Sequence, residues 1–549
     1  MAILTMPRPR PPRLPLRRAT ARTALAALAA LAAPVRPAAA QQPTEPAAEP
    51  YPGFAAYAES AMRAWKVPGM AIAIVRDDSV VFARGFGVRE AGRRAPVTPR
   101  TVFAIGSSSK AFTAALVAML ADEQKLSLDA PAATYLPGLQ LADPYATREL
   151  TVRDLLSHRS GLARGELAWY GSGFDRDEIV RRVRFLQPSW SFRSQFGYQN
   201  IMYIAAGQVA ARVAGASWDD LVRQRLFAPL GMTASTTSVR ALTPAMELAT
   251  PHALVGDTVR PLGAWRDISN AGPAGSINAP VLDMAQWVRL QLGRGAVGAR
   301  RLVSARMIDE MHTPHTVIRL DSAARALNPD THIQTYGLGW FLQDYRGRLF
   351  VHHGGNVDGF SALVAMLPEE RLGVVILTNM NGTGLPSALA NRLWDVHLAA
   401  RAGAAPAGAP TARDWSAELL ARTTALQGRA RAAQQRLEAA RVRDTRPSLP
   451  LAAYAGVYVD SLHGEVVVRE QGGRLALAFG PTWKGELEHW HFDTFRTRFD
   501  TPVLGPITAL FRLDATGKVA ELQLDLAGVA TFRRRPDPAP APSSSTARP

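Results

Sequence analysis

Residues 103–110 read FAIGSSSK, and a nearly all-apolar stretch follows them to residue 121. This stretch predicts a helix that is buried on most of its sides. Ser107 and Lys110 are three positions apart, so the first turn of such a helix places both side chains on the same side. A serine hydroxyl needs a base before it can attack, and a buried lysine can serve because burial lowers the pKa of an amine. The pattern therefore indicates a nucleophile and its base at the start of a core helix.

The scarcity of lysine supports a chemical role for Lys110. The chain contains five lysines among its 63 basic residues, and residues 107–110 form its only Ser-x-x-Lys sequence. An arginine does not lose its proton, so it could hold a structural charge but could not act as a base. The alternative is a helix-capping serine beside a surface lysine, and the motif alone leaves that alternative open.

Two later motifs carry polar groups that fit the same chemistry. Tyr198 precedes Asn200 at the start of an apolar run, and a phenol beside a lysine can relay the serine proton to a leaving group. Asn200 can hydrogen-bond a substrate amide. Residues 352–356 read HHGGN, where glycines let a strand edge approach a substrate and His353 can hydrogen-bond the tyrosine or a substrate carboxylate. The alternatives are a core tyrosine with an asparagine helix cap, and a glycine-rich turn with a surface histidine.

The order of predicted strands and helices indicates an α/β (α+β) domain over residues 53–400. Two apolar strands flank Asp77-Asp78 near its start, and two more flank residues 368–371 near its end, with helices predicted between and after them. This order predicts a mixed sheet built from both ends of the domain, covered by helices and with an inserted helical subdomain. Residues 401–448 follow as a linker and one long helix. Residues 449–535 show the short alternating runs of a small all-β domain.

Composition and the two ends of the chain limit the remaining possibilities. Residues 1–40 combine seven arginines, a stretch of alanine and leucine, and a small-residue cleavage site, which predicts a signal peptide and a periplasmic or secreted protein. Residues 41–52 and 536–549 are rich in proline and alanine and are predicted to be disordered. The net charge of +17 is dispersed, so we expect no nucleic-acid partner. No apolar stretch is long enough for an integral membrane segment, and the absence of cysteine excludes thiol catalysis and disulfides.

One histidine pattern suggests a metal site. His489, His491 and Asp493 alternate along the chain, and on a strand all three would share one face. A zinc site needs further ligands, and no histidine follows Asp493, so a polar strand face is the preferred interpretation. We therefore expect no metal and no cofactor.

The three motifs, in this order, resemble the serine β-lactamase and penicillin-binding-protein superfamily. The resemblance is closest to its class C-like branch, which also contains esterases and D-amino-acid peptidases. Further stretches that fit the family are residues 150–162 (LTVRDLLSHRSGL), 229–232 (PLGM) and 274–277 (AGSI). The resemblance covers about residues 54–400 and implies an antiparallel sheet flanked by helices. Residues 454–458 and 475–534 are similar to the lipocalin-like β domain at the end of some family members.

The family resemblance also implies roles for the candidate residues. Ser107 would be the nucleophile, Lys110 its base and Tyr198 the general acid/base partner. The backbone N–H groups of Ser107 and of Asn356, which follows Gly355, would form the oxyanion hole. The substrate would be a small molecule or peptide, including cell-wall-derived ones, and the resemblance leaves an ester, a D-amino-acid peptide or amide, and a β-lactam open.

The sequence departs from the family pattern at residues 353–355. Members that hydrolyse β-lactams usually carry Lys-Thr-Gly where this chain has His-Gly-Gly. A permanent cation and a hydroxyl that grip the carboxylate of a β-lactam are therefore missing. The alternative function is that of a catalytically weak penicillin-binding or sensor protein that uses the same fold.

Overall fold

The computed structural model describes residues 49–403, 413–500, 505–525 and 528–536. The predicted signal peptide, most of residues 41–52, the linker between residues 404 and 412, and the tail from residue 537 lie outside these ranges. Within the ranges, no helix is both long and apolar enough to cross a membrane.

One eight-stranded sheet forms the centre of the first domain. Its strands are β1 (Gly69–Arg76), β2 (Ser79–Gly87), β3 (Thr316–Ile318), β4 (Gln334–Tyr336), β5 (Phe341–Tyr345), β6 (Arg348–Val357), β7 (Phe360–Leu367) and β8 (Leu372–Thr378). Their order across the sheet is β2-β1-β8-β7-β6-β5-β4-β3. Every neighbouring pair runs antiparallel.

The antiparallel sheet flanked by helices is confirmed, whereas the prediction of a mixed sheet was wrong. The two ends of the domain do meet, because β1 pairs with β8 and places Met70 opposite Thr378. The pattern of apolar residues along the chain indicates which segments form strands. The direction of two strands that are 300 residues apart depends on long-range pairing, which no local pattern specifies.

The helices longer than ten residues in the described ranges are α1 (Phe54–Ala64), α2 (Ser109–Asp122), α3 (Asn200–Ala214), α4 (Val281–Leu292), α5 (Leu385–Arg401) and α6 (Trp415–Ala439). Shorter helices lie mostly where the sequence predicts the inserted helical subdomain. They are Ala132–Tyr135, Pro144–Glu149, Val152–Leu156, Arg176–Arg182, Trp218–Val222, Ala228–Leu230, Gly272–Gly275, Ala305–Met311 and Ser322–Leu327.

The sheet has helices on both faces, and the sequence of β1 explains why. Successive side chains of a strand point to opposite faces. Ala71 and Ala73 pack into the large core that contains α2 and α4, whereas Ile72 and Ile74 pack into a second core with α1 and α5. Because both faces are buried, β1 is apolar at nearly every position rather than at every second one.

The second domain is an eight-stranded closed barrel, which confirms the expected C-terminal all-β domain. Its strands are β9 (Gly456–Asp460), β10 (Gly464–Gln471), β11 (Arg474–Phe479), β12 (Trp483–His491), β13 (Thr494–Phe499), β14 (Ile507–Leu513), β15 (Val519–Asp525) and β16 (Val529–Arg534). Alternate residues such as Leu475, Leu477 and Phe479 fill its interior.

Candidate active site

Ser107 lies at the entry to α2, as the sequence predicts. It belongs to a single helical turn, Gly106–Ser108, which leads from the short strand Phe103–Ala104 into the helix. Lys110 occupies the first turn of α2, and its Nζ lies 3.0 Å from Ser107 Oγ. The spacing of three residues therefore does bring the hydroxyl and the amine together.

Lys110 is fully buried beneath Ser107, and its surroundings favour the neutral amine. Its Nζ donates to Asn200 Oδ1 at 2.7 Å and to the Ala274 carbonyl at 2.8 Å. Burial lowers the pKa of Lys110 well below its usual range. A neutral amine has two N–H groups and one lone pair, and the two carbonyl-type oxygens can only accept. They occupy both N–H groups, so the lone pair remains for the Ser107 hydroxyl.

Tyr198 lies just before α3 and reaches the same serine. Its side chain lies close enough to Ser107 for the serine to affect its pKa, and Lys110 Nζ lies 4.9 Å from the centre of its ring. Burial raises the pKa of Tyr198, and the contact with Ser107 lowers it by less. A protonated phenol can donate to Ser107 Oγ while the Ser107 hydroxyl donates to Lys110. The three side chains therefore form one path along which a proton can move.

His158 supports Tyr198, although no sequence motif marks it. Its ring lies 4.3 Å from the Tyr198 ring, and its Nδ1 accepts a hydrogen bond from the Gln199 backbone N–H at 3.1 Å. Burial, with Lys110 nearby, lowers the pKa of His158 well below its usual range. The neutral imidazole thus holds the turn that presents Tyr198. The sequence feature that could have pointed to His158 is its place in residues 150–162 (LTVRDLLSHRSGL). This stretch fits the family but contains none of the three motifs.

Asn200 has protein partners for both of its side-chain polar atoms, and its expected contact with a substrate amide stays a prediction. Its Oδ1 accepts from Lys110, and its Nδ2 donates to the two carboxylate oxygens of Glu166 at 3.3 and 3.2 Å. Glu166 in turn accepts from Arg164 Nε at 2.8 Å. Because a carboxylate only accepts, Glu166 fixes the amide so that its oxygen faces Lys110. Nothing in the sequence around Glu166 pointed to this position.

Strand β6 forms the opposite wall and carries Gly355 and Asn356. A Cβ on Gly355 would lie 1.8 Å from the Ile105 carbonyl oxygen and 2.9 Å from Ser107 N, so only glycine permits this approach. The Asn356 backbone nitrogen lies 2.6 Å from the position that a Cβ on Gly106 would occupy. The backbone segments that carry the Ser107 and Asn356 nitrogens therefore pack closely against each other, as the predicted oxyanion hole requires.

His353 is buried in β6 and makes a different hydrogen bond from the one the sequence suggested. Its Nε2 lies 3.0 Å from the Tyr336 hydroxyl rather than bonding Tyr198, whose ring centre is 6.3 Å away. Its Nδ1 lies 2.6 Å from the Gly354 carbonyl oxygen. Burial lowers the pKa of His353 to about 3, so it carries no charge at neutral pH. It cannot replace the lysine cation of Lys-Thr-Gly. Tyr336 belongs to no recognisable motif.

A cavity of about 420 Å³ unites these groups. Six of the seven predicted site residues line it: Ser107, Tyr198, Asn200, His353, Gly355 and Asn356. The seventh, Lys110, lies beneath Ser107 with none of its surface exposed. Motifs that are up to 250 residues apart in the chain thus meet at one opening.

The histidine pattern of the barrel does not form a comparable cluster. A register shift separates His489 from His491 at the end of β12, and Asp493 lies in the following turn. Asp493 accepts hydrogen bonds from Tyr454 and Ser448. Across the ranges that the structure describes, no three His, Asp or Glu side chains converge as a ligand set for a metal ion.

Comparisons with known proteins fit this geometry. Residues 54–399 match the family model described as Beta-lactamase, and residues 440–538 match one described as Domain of unknown function (DUF3471). Unguisins hydrolase ungD' of Aspergillus campestris (strain IBT 28561) is 31% identical over 350 residues, which are 60% of this chain and 61% of that protein. The chain therefore spans about three fifths of the length of this relative.

Two further proteins are similar to the chain. Penicillin-binding protein 4 of Amycolatopsis lactamdurans is 30% identical over 319 residues, which are 57% of this chain and 81% of that protein. The structure of the octameric penicillin-binding protein homologue from Pyrococcus abyssi aligns with a TM-score of 0.54 at 22% identity, over 87% of this chain and 99% of that one. At this identity the alignment shows a shared fold.

Proposed function

The chain belongs to the Beta-lactamase family of serine hydrolases, and on that premise we propose that it cleaves its substrate through a covalent acyl-enzyme on Ser107. One observation carries the proposal. The buried Lys110 amine has both N–H groups occupied by oxygen acceptors, and its third direction meets Ser107 Oγ at 3.0 Å. This is the contact that a base needs in order to remove the serine proton.

The proposed reaction begins with attack of Ser107 Oγ on the substrate carbonyl carbon. Lys110 Nζ takes the hydroxyl proton, and the N–H groups of Ser107 and Asn356 stabilise the negative charge that develops on the carbonyl oxygen. When the bond to the leaving group breaks, Tyr198 delivers a proton to that group and recovers one through Lys110. Water then attacks the acyl-enzyme with the same groups in reversed roles, which releases the acid and restores Ser107.

The proposed substrate is an ester or an amide, including a D-amino-acid amide or peptide, rather than a β-lactam that depends on its carboxylate. The support is the neutral, buried His353 in the position where family β-lactamases present a lysine. One of the relatives is named as a hydrolase, of unguisins, which supports hydrolysis as the reaction.

We also propose that the protein acts outside the cytoplasm, in the periplasm or as a secreted enzyme. The support is the arginine-rich, alanine-rich sequence of residues 1–40, which precedes the described ranges. Cell fractionation with an antibody to the barrel would place the protein, and a purely cytoplasmic signal would contradict export.

The proposed function is tested by intact-mass measurement of the wild type and of Ser107→Ala. The probes are an ethyl fluorophosphonate, a penicillin, a p-nitrophenyl ester and a D-alanyl peptide, with turnover followed in parallel. We expect a mass increase only where Ser107 is present, and turnover of the ester or the peptide. Ser60→Ala, an exposed position on α1, is the matched control and should react like the wild type.

The outcomes separate the two candidate functions. Labelling of Ser107→Ala would overturn the assignment of the nucleophile. Labelling of the wild type by penicillin, without turnover of any substrate, would favour the alternative penicillin-binding or sensor protein.

A further inference from the structure

A second cavity of about 490 Å³ adjoins the nucleophile's cavity, and we call it the side chamber. The two cavities share five lining residues, which are Arg164, Glu166, Trp169, Ile268 and Asn356. Asn356 is the strand residue next to Gly355, at the point where β6 packs closely against the Gly106–Ser108 turn. A molecule held at Ser107 can therefore extend into the side chamber without leaving the protein surface.

The walls of the side chamber are mainly apolar and come from both domains. The segment after Glu166 contributes Leu167, Trp169 and Tyr170, and strand β6 contributes Val357. The barrel contributes Pro506 and Ile507 at the start of β14. Trp169 is nearly buried, while Ile507 is half-buried, so these surfaces offer apolar contact to a bound group rather than to water.

Two of the carboxylates around the side chamber are already neutralised by neighbours. Asp358 accepts hydrogen bonds from the Tyr170 hydroxyl and from Arg266 Nε, the latter at 2.7 Å. Glu166 is paired with Arg164. A third, Asp525, is exposed to solvent. The paired carboxylates leave the apolar lining as the main surface against which a ligand group would pack.

The side chamber is built before any substrate arrives, because the barrel holds its wall in place. Trp483 of β12 is buried and donates from Nε1 to the Tyr170 carbonyl at 3.2 Å. The Tyr170 ring lies 5.3 Å from the Trp483 ring, and Arg266 stacks over Trp483 at 5.2 Å. A preformed apolar wall binds an apolar group without the cost of ordering a loop.

We propose that the side chamber is a specificity subsite for a bulky apolar group of the substrate, covalently linked to the carbonyl that Ser107 attacks. The proposal rests on the proposed function, because it takes Ser107 as the point of attachment. The occupant is an aromatic or branched aliphatic side chain or acyl group. A charged group of the same size would lose its hydration against the apolar lining, beside which Glu166 and Asp358 are already paired with arginines.

The test compares two covalent probes, ethyl fluorophosphonate and its 4-phenylbutyl analogue. Each forms a bond between Ser107 Oγ and phosphorus and releases fluoride, while the serine proton goes to the base. The rate of labelling is followed by intact mass on the full chain. We expect the phenylbutyl probe to react roughly tenfold or more faster in the wild type, since even one or two methylenes in an apolar pocket change rates by such factors.

Two variants on the same strand locate the effect. Ile507→Trp fills the side chamber and should reduce the phenylbutyl rate about tenfold more than the ethyl rate. Leu513→Trp lies at the other end of β14, outside the chamber lining, and should keep the wild-type ratio. Ile507→Ser is a second variant that removes apolar surface without adding bulk, and it should also lower the ratio. Thermal melting checks that each variant is folded.

The outcomes distinguish the subsite from the proposed function. Equal rates for the two probes in the wild type, or an equal fall in the ratio for Leu513→Trp, would overturn the subsite while leaving Ser107 as the nucleophile. If neither probe labels Ser107, the proposed function itself fails, and the subsite with it.

Discussion

At the residue scale, the centre of this site is one buried amine whose protonation is set by its neighbours. Lys110 is among only five lysines, and it has no exposed surface. Its burial lowers its pKa, the charge of Glu166 raises it, and Arg164 lowers it. Glu166 and Arg164 form an ion pair with 26% and 61% of their side chains exposed. This pair therefore influences the fraction of Lys110 that is ready to accept a proton.

Removing one charge or the other of this ion pair should shift the pKa of Lys110 in opposite directions. Glu166→Gln keeps an oxygen acceptor for Asn200 and removes the negative charge, so the pKa of Lys110 should fall. The acidic limb of kcat/KM, which rises as Lys110 loses its proton, should then move to lower pH by roughly one unit. Arg164→Gln removes the positive charge and should move the same limb to higher pH. The measurement is the pH profile of ester hydrolysis for the three proteins.

The other titratable groups around Lys110 do not change their charge near pH 7, so they do not affect the comparison of the two pH profiles. Those that face it, from every element packed against it, are Tyr198, Tyr203, His158 and His353. Burial raises the pKa of each tyrosine and lowers the pKa of each histidine, so all four are neutral near pH 7. Shifts of the same sign in both variants would show that Lys110 does not control the limb.

At the element scale, strand β6 supplies one of the two N–H groups of the proposed oxyanion hole beside Ser107. The strand passes so close to the Gly106–Ser108 turn that Gly355 has no room for a side chain, whereas its neighbour Gly354 has only the Ala362 carbonyl oxygen near, at 3.5 Å. An alanine methyl group therefore fits at Gly354 but not at Gly355. The missing side chain of Gly355 is what lets β6 lie so close to the Gly106–Ser108 turn.

Gly355→Ala should slow labelling of Ser107 at least ~10²-fold, because the new methyl group pushes β6 away from the nucleophile. Gly354→Ala meets only an ordinary contact, so we expect a loss of less than about tenfold. The measurement is the rate of labelling by ethyl fluorophosphonate, with circular dichroism and melting to show that β6 still forms. Equal effects of the two variants would mean that the gap between Ser107 and Asn356 is not what limits the reaction.

At the scale of the whole molecule, the barrel and the catalytic domain share one structural segment, residues 166–174. Its first residue contacts Asn200, while further along Gly171 and Tyr170 pack on Trp483 of the barrel. Gly171 has φ +72° and a Cβ there would lie 2.4 Å from Trp483 Nε1. At this point the fit between the domains thus depends on the absence of a side chain at Gly171.

Gly171→Ala should separate the barrel from this segment. It costs about 1 kcal/mol for the positive φ and a further ~1–3 kcal/mol for the clash with Trp483. Gly256→Ala is the matched control, because it has φ +62° and no atom within 4 Å of the new Cβ. We expect Gly171→Ala to melt several degrees lower than the control and to lose more activity on bulky apolar esters. Equal melting temperatures would show that the contact contributes nothing to stability.

Local features of the sequence determined the elements and the chemical identity of the site. The spacing of Ser107 and Lys110 fixes their contact within one helical turn, because such a turn depends on hydrogen bonds between residues three or four apart. Short and nearly continuous apolar runs likewise located β1, β7 and β8, and alternating runs indicated the strands of the barrel, since these patterns reflect which sides of a strand are buried. The order of Ser107, Tyr198 and His353 was enough to indicate the family.

Tertiary structure alone decided how these pieces work together. It gave Asn200 two partners, Lys110 and Glu166, that the motif around it does not reveal, and it gave His353 a bond to Tyr336 instead of Tyr198. It also made the sheet antiparallel throughout and placed the barrel beside the cavity that contains Ser107. The physical reason is that hydrogen-bond partners, desolvation and cavity walls are set by groups far apart in the chain. A local pattern records which residues are buried, but not which residues they are buried against.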